Sequence, residues 1–180
     1  LGAPLPQVAP EPAVPAAVIK AGQPVVSGLF KNPVNGGYST AVAVPVMREG
    51  AVSHVLVAVI DQESWLRFLS RYPVAPDATM TLLDQNGIVI ARTLNNDRWV
   101  GKRPAPGLYE AARNASEAAY RSIGLEGQRF YSAHHRSSRS GWTCMRAHPR
   151  PCRRTSPTAP EPLSREGAGR GSPLLATDPQ

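Results

Sequence analysis

Aromatic residues make up only 6% of this 180-residue chain, and cysteine occurs twice, as Cys144 and Cys152. Residues 1–143 contain no cysteine, so no disulfide framework is available to them and the redox compartment stays open. No run of 18 apolar residues exists, so the sequence contains no membrane-spanning helix. No basic segment followed by an apolar one opens the chain, so no signal peptide is read there. The start at Leu1, without Met, reads as a fragment of a longer protein. Acids are the minority charge, 13 against 20 Lys and Arg. The tail from Cys144 onward carries six of those Arg and three of the acids. The remainder is too weakly basic to argue for nucleic acid.

Catalytic patterns are missing as well. Ser27, Ser39 and Ser140 lack a G-x-S-x-G elbow, so hydrolase chemistry has no support. The glycine-rich stretch 35–40 lacks the lysine of a phosphate loop and leads into a strand. Asp84–Gly87 begins like a calcium loop, but Val89 and Asn95 stand where glycine and an acid are required. His134 and His135 are neighbours on a strand and point to opposite faces, so they cannot chelate one ion. Cys144, His148 and Cys152 lack a fourth zinc ligand. "NAS" at 114–116 fits the glycosylation pattern by chance, and Arg150, Arg153 and Arg154 read as a solvated tail. No metal and no cofactor is expected, and the chain by itself is not expected to be an enzyme.

What is present is a series of strand and turn signals. Proline is plentiful, 19 residues, of which 13 crowd into 4–24 and 149–179, so the foldable part lies between. Residues 1–17 read as an irregular loop. Alternating or continuous apolar runs predict strands near 38–47, 51–60, 79–84, 88–93, 127–135 and 141–143. Pro45 inside the first of these suggests an edge or a bulge. Asp61 caps a helix near 62–71, whose Trp65, Leu66, Phe68 and Leu69 fall at helical spacing. The Ala-rich stretch 107–123 predicts a second helix ending at Gly124. "LLDQNGIVIART" is the best-marked hairpin, because Asn86-Gly87 suits a turn with φ > 0 at both central positions. Trp65 and Trp142 read as core. The fold class is α+β, with antiparallel sheets and flanking helices.

The ordered series "GAPLP", "GQPVVSGLF", "VAVPVMREGAVSHVLVAVI", "LLDQNGIVIART", "RWVGK" and "EGQRFYSAHHRSSRSGWT" resembles the extracytoplasmic double-Cache sensory region of bacterial membrane histidine kinases. The resemblance covers about residues 1–143. It implies two PAS-like modules. Residues 1–72 would be the later part of the membrane-distal module and 73–143 the membrane-proximal module without its last strand. The implied function is periplasmic small-molecule sensing for a two-component kinase. The same sensory part in a chemoreceptor or a diguanylate cyclase is the alternative, and a stand-alone enzyme such as a hydrolase the third. The membrane is implied only through flanking spans outside this chain, and the parent protein as a homodimer.

After "SGWT" such regions continue with a Val-rich strand, whereas this chain turns to Arg and Pro. A reading-frame change after Thr143 accounts for that. With GC-rich codons, Pro151–Thr158 read from the third base gives Val-Pro-Ala-Asp-Val-Ala-Asp. Residues 144–180 are therefore expected to be disordered. The ligand implied is a small organic molecule, a carboxylate or an amino acid. Candidate contacts are Tyr38 and Thr40, on one face of a strand, and Arg129 and Tyr131, on one face of another, with Arg92 on a neighbouring hairpin.

Overall fold

The structure, a computed structural model, describes residues 11–104, 106–124 and 127–149. It opens with helix α1 (Ala13–Ala21), followed by two short strands, β1 (Val25–Val26) and β2 (Phe30–Lys31). Strands β3 (Tyr38–Arg48) and β4 (Ala51–Asp61) form the long hairpin of the first sheet. Strand β3 pairs with β4 along one side, and with β1 and then β2 along the other, all antiparallel. Helix α2 (Gln62–Ser70) leads into a second sheet built from β5 (Thr79–Leu83), β6 (Val89–Arg92), β7 (Glu117–Ile123), β8 (Arg129–Arg136) and β9 (Thr143–His148). Between β6 and β7 lie the short α3 (Asn96–Trp99) and α4 (Pro106–Asn114). The order is β6-β5-β9-β8-β7, antiparallel throughout.

Helix α1 overturns part of the irregular-loop reading of residues 1–17; residues 1–10 lie outside the described residues. Pro12 sits at the N-cap and Pro15 in the first turn, where backbone N–H groups have no partner within the helix, so neither breaks it. Val14 and Val18, one turn apart, are buried against Ala43, Val25, Val55 and Val57. Gly22 closes the helix at φ 62°, returning its N–H to the Val18 carbonyl.

The turns also differ from expectation. In the 84–87 turn only Gly87 has positive φ. The turn is held instead by Asp84, whose Oδ1 accepts from the N–H groups of Asn86 and Ile88 at 2.8 Å each. The geometry with φ > 0 at both central residues belongs to the β3–β4 hairpin, at Glu49 (φ 52°) and Gly50 (φ 80°). Pro45 is tolerated because β1 and β2 leave that part of β3 with β4 as its one neighbour, and the register slips just beyond it, at Val46/Met47.

Two larger corrections concern the second sheet. The helix expected over 107–123 ends at Asn114, and 117–123 is strand β7. Its Ala content favours helix, but every residue from Glu117 to Ile123 pairs across to β8, and tertiary pairing outweighs propensity. The second correction is β9. The sheet does not lose its last strand after Thr143. Thr143–His148 pairs with β5 on one side and β8 on the other, at the centre of the sheet. Met145 is buried with Leu83 and Val89, so the in-frame sequence supplies apolar contact beyond Thr143. The expectation of disorder thus fails for 144–149, and its remainder, 150–180, lies outside the described residues.

One junction between the two sheets is centred on Asp84. Asp84 Oδ2 accepts from Leu29 N–H at 2.9 Å, so one carboxylate holds the β5–β6 turn with one oxygen and the segment before β2 with the other. Gly28 passes so close that a Cβ there would lie 2.8 Å from Asp84 Oδ2. Beside it, Trp142 Nε1 donates to the Ser27 carbonyl and to Gln85 Oε1, both at 3.1 Å. The Trp142 ring meets Trp65 of α2 edge-on at 5.1 Å. Leu69, Leu82, Ile90 and Ala91 complete this core, with Trp65 and Leu66 packed against it. Asp61 starts α2 by accepting from Ser64 N–H, and hydrogen bonding to Ser64 holds its carboxyl below the usual range.

The Asp84 joint and strand β9 can each be tested by removal. Asp84→Ala leaves three N–H groups without their acceptor and should cost about 3 kcal/mol, while Asp84→Asn, which keeps the turn oxygen, should cost about 1 kcal/mol. Urea unfolding measures both. Truncation after Thr143 removes the central strand and should abolish cooperative unfolding of the second sheet. In the intact chain trypsin should cleave after Arg146 only at the rate of global unfolding.

Candidate functional site

The register of the second sheet sorts its side chains onto two faces. Arg92, Thr81, Met145 and His134 are paired in succession across β6, β5, β9 and β8, and so project to one side. Thr79, Ala147, Ser132 and Tyr120 form a second row on that side, and Phe130 and Ser122 a third. This inner face lies under α4 and the 94–104 loop, with Trp99, Leu108 and Tyr120 packed on Leu83, Val89 and Met145. Helix α2 covers the other face at β6 and β5, through Leu66 and Leu69 on Leu82 and Ala91.

The "VGK" segment is a fixture of this arrangement. Val89 N–H donates to the Lys102 carbonyl and Gly101 N–H to the Val89 carbonyl, so the loop extends the pairing of β6. Gly101 has φ 77°, and a Cβ there would collide with the Tyr38 hydroxyl. Tyr38 therefore packs on this loop, with the Lys31 ammonium 5.6 Å from its ring centre. Thr40 is fully buried and its hydroxyl accepts from Trp65 Nε1 at 2.9 Å. Neither Tyr38 nor Thr40 lines the cavities of the second sheet. Tyr38 joins the first sheet to the 94–104 loop, and Thr40 joins it to α2.

The other three candidates do line cavities, but not together. Arg92 is 2% exposed on the inner face, where its guanidinium donates to the Leu94 carbonyl and its backbone N–H to Asn96 Oδ1 at 3.1 Å. With Thr79, Thr81, Ser122, Ser132 and Phe130 it walls a chamber of about 30 Å³, room for a single water. Arg129 and Tyr131 share the opposite face of β8, as expected, and both are exposed. They line an open cavity of about 710 Å³, which also takes in Arg121, Tyr120, Ser122 and Leu108. This cavity draws on both faces of the β7–β8 ribbon, and the Arg121 guanidinium lies 5.5 Å from the Tyr131 ring centre. Leu108, Ser122 and Phe130 belong to the walls of both cavities, so the chamber adjoins the open space across those three side chains.

Ser122 and Ser132 hydrogen-bond each other through their hydroxyls at 2.6 Å. His134 is 5% exposed, with Nε2 3.1 Å from the Ala115 carbonyl, while His135 points to the other side and is exposed. Burial pushes the Tyr120 phenol above its ordinary pKa and the Cys144 thiol likewise. Sequence reasoning missed Tyr120 and Ser122 because it placed them on a helix. Exposed and half-buried residues alternate across 117–123 in the structure, but the Ala-rich sequence there carries no matching alternation of residue type. Among the described residues no three His, Cys, Asp or Glu side chains gather closely enough to hold a metal ion, and no helix is long and apolar enough to cross a membrane.

No protein-family model and no curated protein sequence matches the chain. Solved structures do. The periplasmic sensory domain of the Campylobacter jejuni chemoreceptor Tlp1 superposes with a TM-score of 0.59 at 17% identity, over 75% of this chain and 54% of that one. The extracellular domain of mmHK1S-Z3, a protein assigned as a histidine kinase, gives 0.63 at 13% identity, over 75% and 52%. The ligand-binding domain of the Pseudomonas aeruginosa PAO1 amino acid chemoreceptor PctB, solved with L-Gln, gives 0.56 at 14% identity, over 75% and 55%. The chain spans about half the length of these structures. Its fold is the α+β, Cache-like fold of periplasmic and extracellular sensory domains, with antiparallel sheets and flanking helices.

Proposed function

We propose that the chain is the small-molecule sensing region of a membrane two-component histidine kinase, acting on the outer side of the inner membrane. The observation that carries this reading is the open cavity of about 710 Å³ at the β7–β8 ribbon, in a fold shared with sensory domains. Its lining combines apolar surface from Leu108, Ile123 and Phe130 with the cations Arg121 and Arg129. That is the composition of a site for a small organic anion or zwitterion: apolar walls exclude water and a few polar groups fix orientation. Arg129 beside Tyr131 suits a carboxylate, with the guanidinium as charged donor and the phenol as neutral one. PctB solved with L-Gln and the Mlp24 domain solved with asparagine make amino acids the first compounds to try.

The chain itself carries no catalysis in this reading; a kinase domain elsewhere in the parent protein would do so. A ligand acts by binding one of two conformations more tightly, because equal affinity for both shifts nothing. Helix α4 is the element best placed to differ between them, since its Leu108, with Ser122 and Phe130 of the sheet, lines both the open cavity and the Arg92 chamber. The parent as a homodimer, held by spans flanking this region, belongs to the same proposal. The sensory part of a chemoreceptor is the second reading, favoured by Tlp1 and PctB among the similar structures. Coding sequence downstream of residue 148, read in each frame, separates them by the output domain it encodes.

Thermal-shift screening of the chain against L-amino acids and small carboxylates tests the sensing reading. A binder at 100 times its Kd should stabilise the fold by about 2.7 kcal/mol. Arg129→Ala, at an exposed position, should leave the melting temperature unchanged and weaken that binder about tenfold. A panel in which no compound shifts the transition, or binding indifferent to Arg129, contradicts the assignment of this cavity.

A further inference from the structure

Leu83, Thr143 and Arg136 are paired in succession across β5, β9 and β8. They stand two residues along from Thr81, Met145 and His134, so they share the inner face of the second sheet. Together with Tyr109 and Arg113 of α4 they line a pocket of about 330 Å³, in the size range of small-molecule sites. None of its lining residues belongs to the open cavity or to the Arg92 chamber. The Tyr109 ring closes one side, packed on Gly87 so tightly that a Cβ there would collide with it. The Arg113 guanidinium lies 5.7 Å from the centre of that ring. Among the described residues, neither the Arg113 nor the Arg136 guanidinium has a hydrogen bond or an ion pair within the protein.

Arg113, in the last turn of α4, suits the negative end of that helix and alone needs no ligand. Arg136 ends β8 half-buried, on the same pocket. Two cations on one pocket repel each other, and an anion between them removes that cost. The one acid in the lining is Asp84, whose oxygens are held by the N–H groups of Leu29, Asn86 and Ile88, so its charge is already engaged. We infer that this pocket is a second ligand site and takes a small dicarboxylate, one carboxylate on Arg113 and the other on Arg136. A guanidinium fork matches a carboxylate in a bidentate way, and the two forks come from different elements. The hydroxyls of Tyr109, Ser138 and Thr143, which have no hydrogen bond among the described residues, supply neutral donors. Leu83 and Ala112 give apolar wall for the carbon spacer. A monocarboxylate leaves one guanidinium unmatched. A dianion held in this way ties α4 to the end of β8 beside the Asp84 turn. The inference goes beyond the sensing reading, whose cavity has other walls.

Calorimetric titration of the whole chain with succinate and glutarate, against butyrate and inorganic phosphate, is the test. At least one dicarboxylate should bind about tenfold more tightly, or better, than butyrate and phosphate. Arg113→Gln and Arg136→Gln should each weaken it about tenfold or more, and Arg129→Ala, in the open cavity, less than about twofold. Arg113 is exposed, so its variant keeps the test decisive if Arg136→Gln folds poorly. No binding of either dicarboxylate, binding that survives both Gln variants, or butyrate or phosphate binding as tightly overturns the inference. Loss in Arg129→Ala alone moves the dicarboxylate to the open cavity, which supports the sensing reading and overturns this one. Binding that depends on Arg113 and Arg136, with no compound dependent on Arg129, leaves this site standing and the open cavity without support.

Discussion

The carboxylate of Asp84 is the constraint on which the rest of the molecule depends. It is 3% exposed and accepts from three backbone N–H groups, two in its own turn and one from Leu29. A buried carboxylate needs that many donors to offset lost hydration, and here they come from two sheets. The same side chain shapes the β5–β6 turn and fixes where the first sheet attaches. Gly28 is then required, since a side chain there would displace the carboxylate. Trp142 continues the joint through Ser27 and Gln85 and passes it to α2 through Trp65. Helix α2 therefore sits between the sheets with its position set from both sides. Movement of the β5–β6 turn cannot leave the first sheet undisturbed.

This joint occupies the face of the second sheet covered by α2, which leaves the inner face for other work. That face is polar for a sheet interior: Thr79, Thr81, Arg92, Ser132, Tyr120 and His134 lie among Met145, Phe130 and Leu83. Its cover is light. Helix α4 has nine residues, and its Leu108 is one of three side chains, with Ser122 and Phe130, shared by the walls of the two cavities. The outer face is held by a hydrogen-bonded joint, and the polar inner face carries the cavities.

Much of this is legible in the sequence, for identifiable reasons. Strands β3 and β4, helix α2 and the β5–β6 hairpin are readable because their periodicity and their turn residues agree. The turn in "LDQNG" is placed correctly but explained by the wrong residue: Asn-Gly is the familiar signal, whereas Asp84 supplies the bonds. The motifs "VGK" and "SGWT" stand out without their purpose, which is to pad β6 and to seat Trp142, because those contacts span up to 115 residues of sequence. Strand β7 is hidden by its alanines and β9 by the arginines and prolines beyond it. In both, pairing on neighbouring strands decides the conformation, and a single segment carries no record of its neighbours. Of the candidate contacts, Arg129 and Tyr131 do share one face. Arg92 lies on the other, since the strand order that decides it depends on β9. Thr40 is committed to Trp65, a partner 25 residues away.

The central claim is that ligand binding is sensed where α4 covers β7 and β8, and reaches the first sheet through Asp84 and Trp142. Amide hydrogen exchange on the intact chain, with and without a saturating binder, measures this directly. The account predicts slower exchange in α4, β7 and β8, together with a smaller change at Leu29, whose N–H is held by Asp84. Protection confined to β3 and β4, with α4, β7 and β8 unchanged, would contradict it.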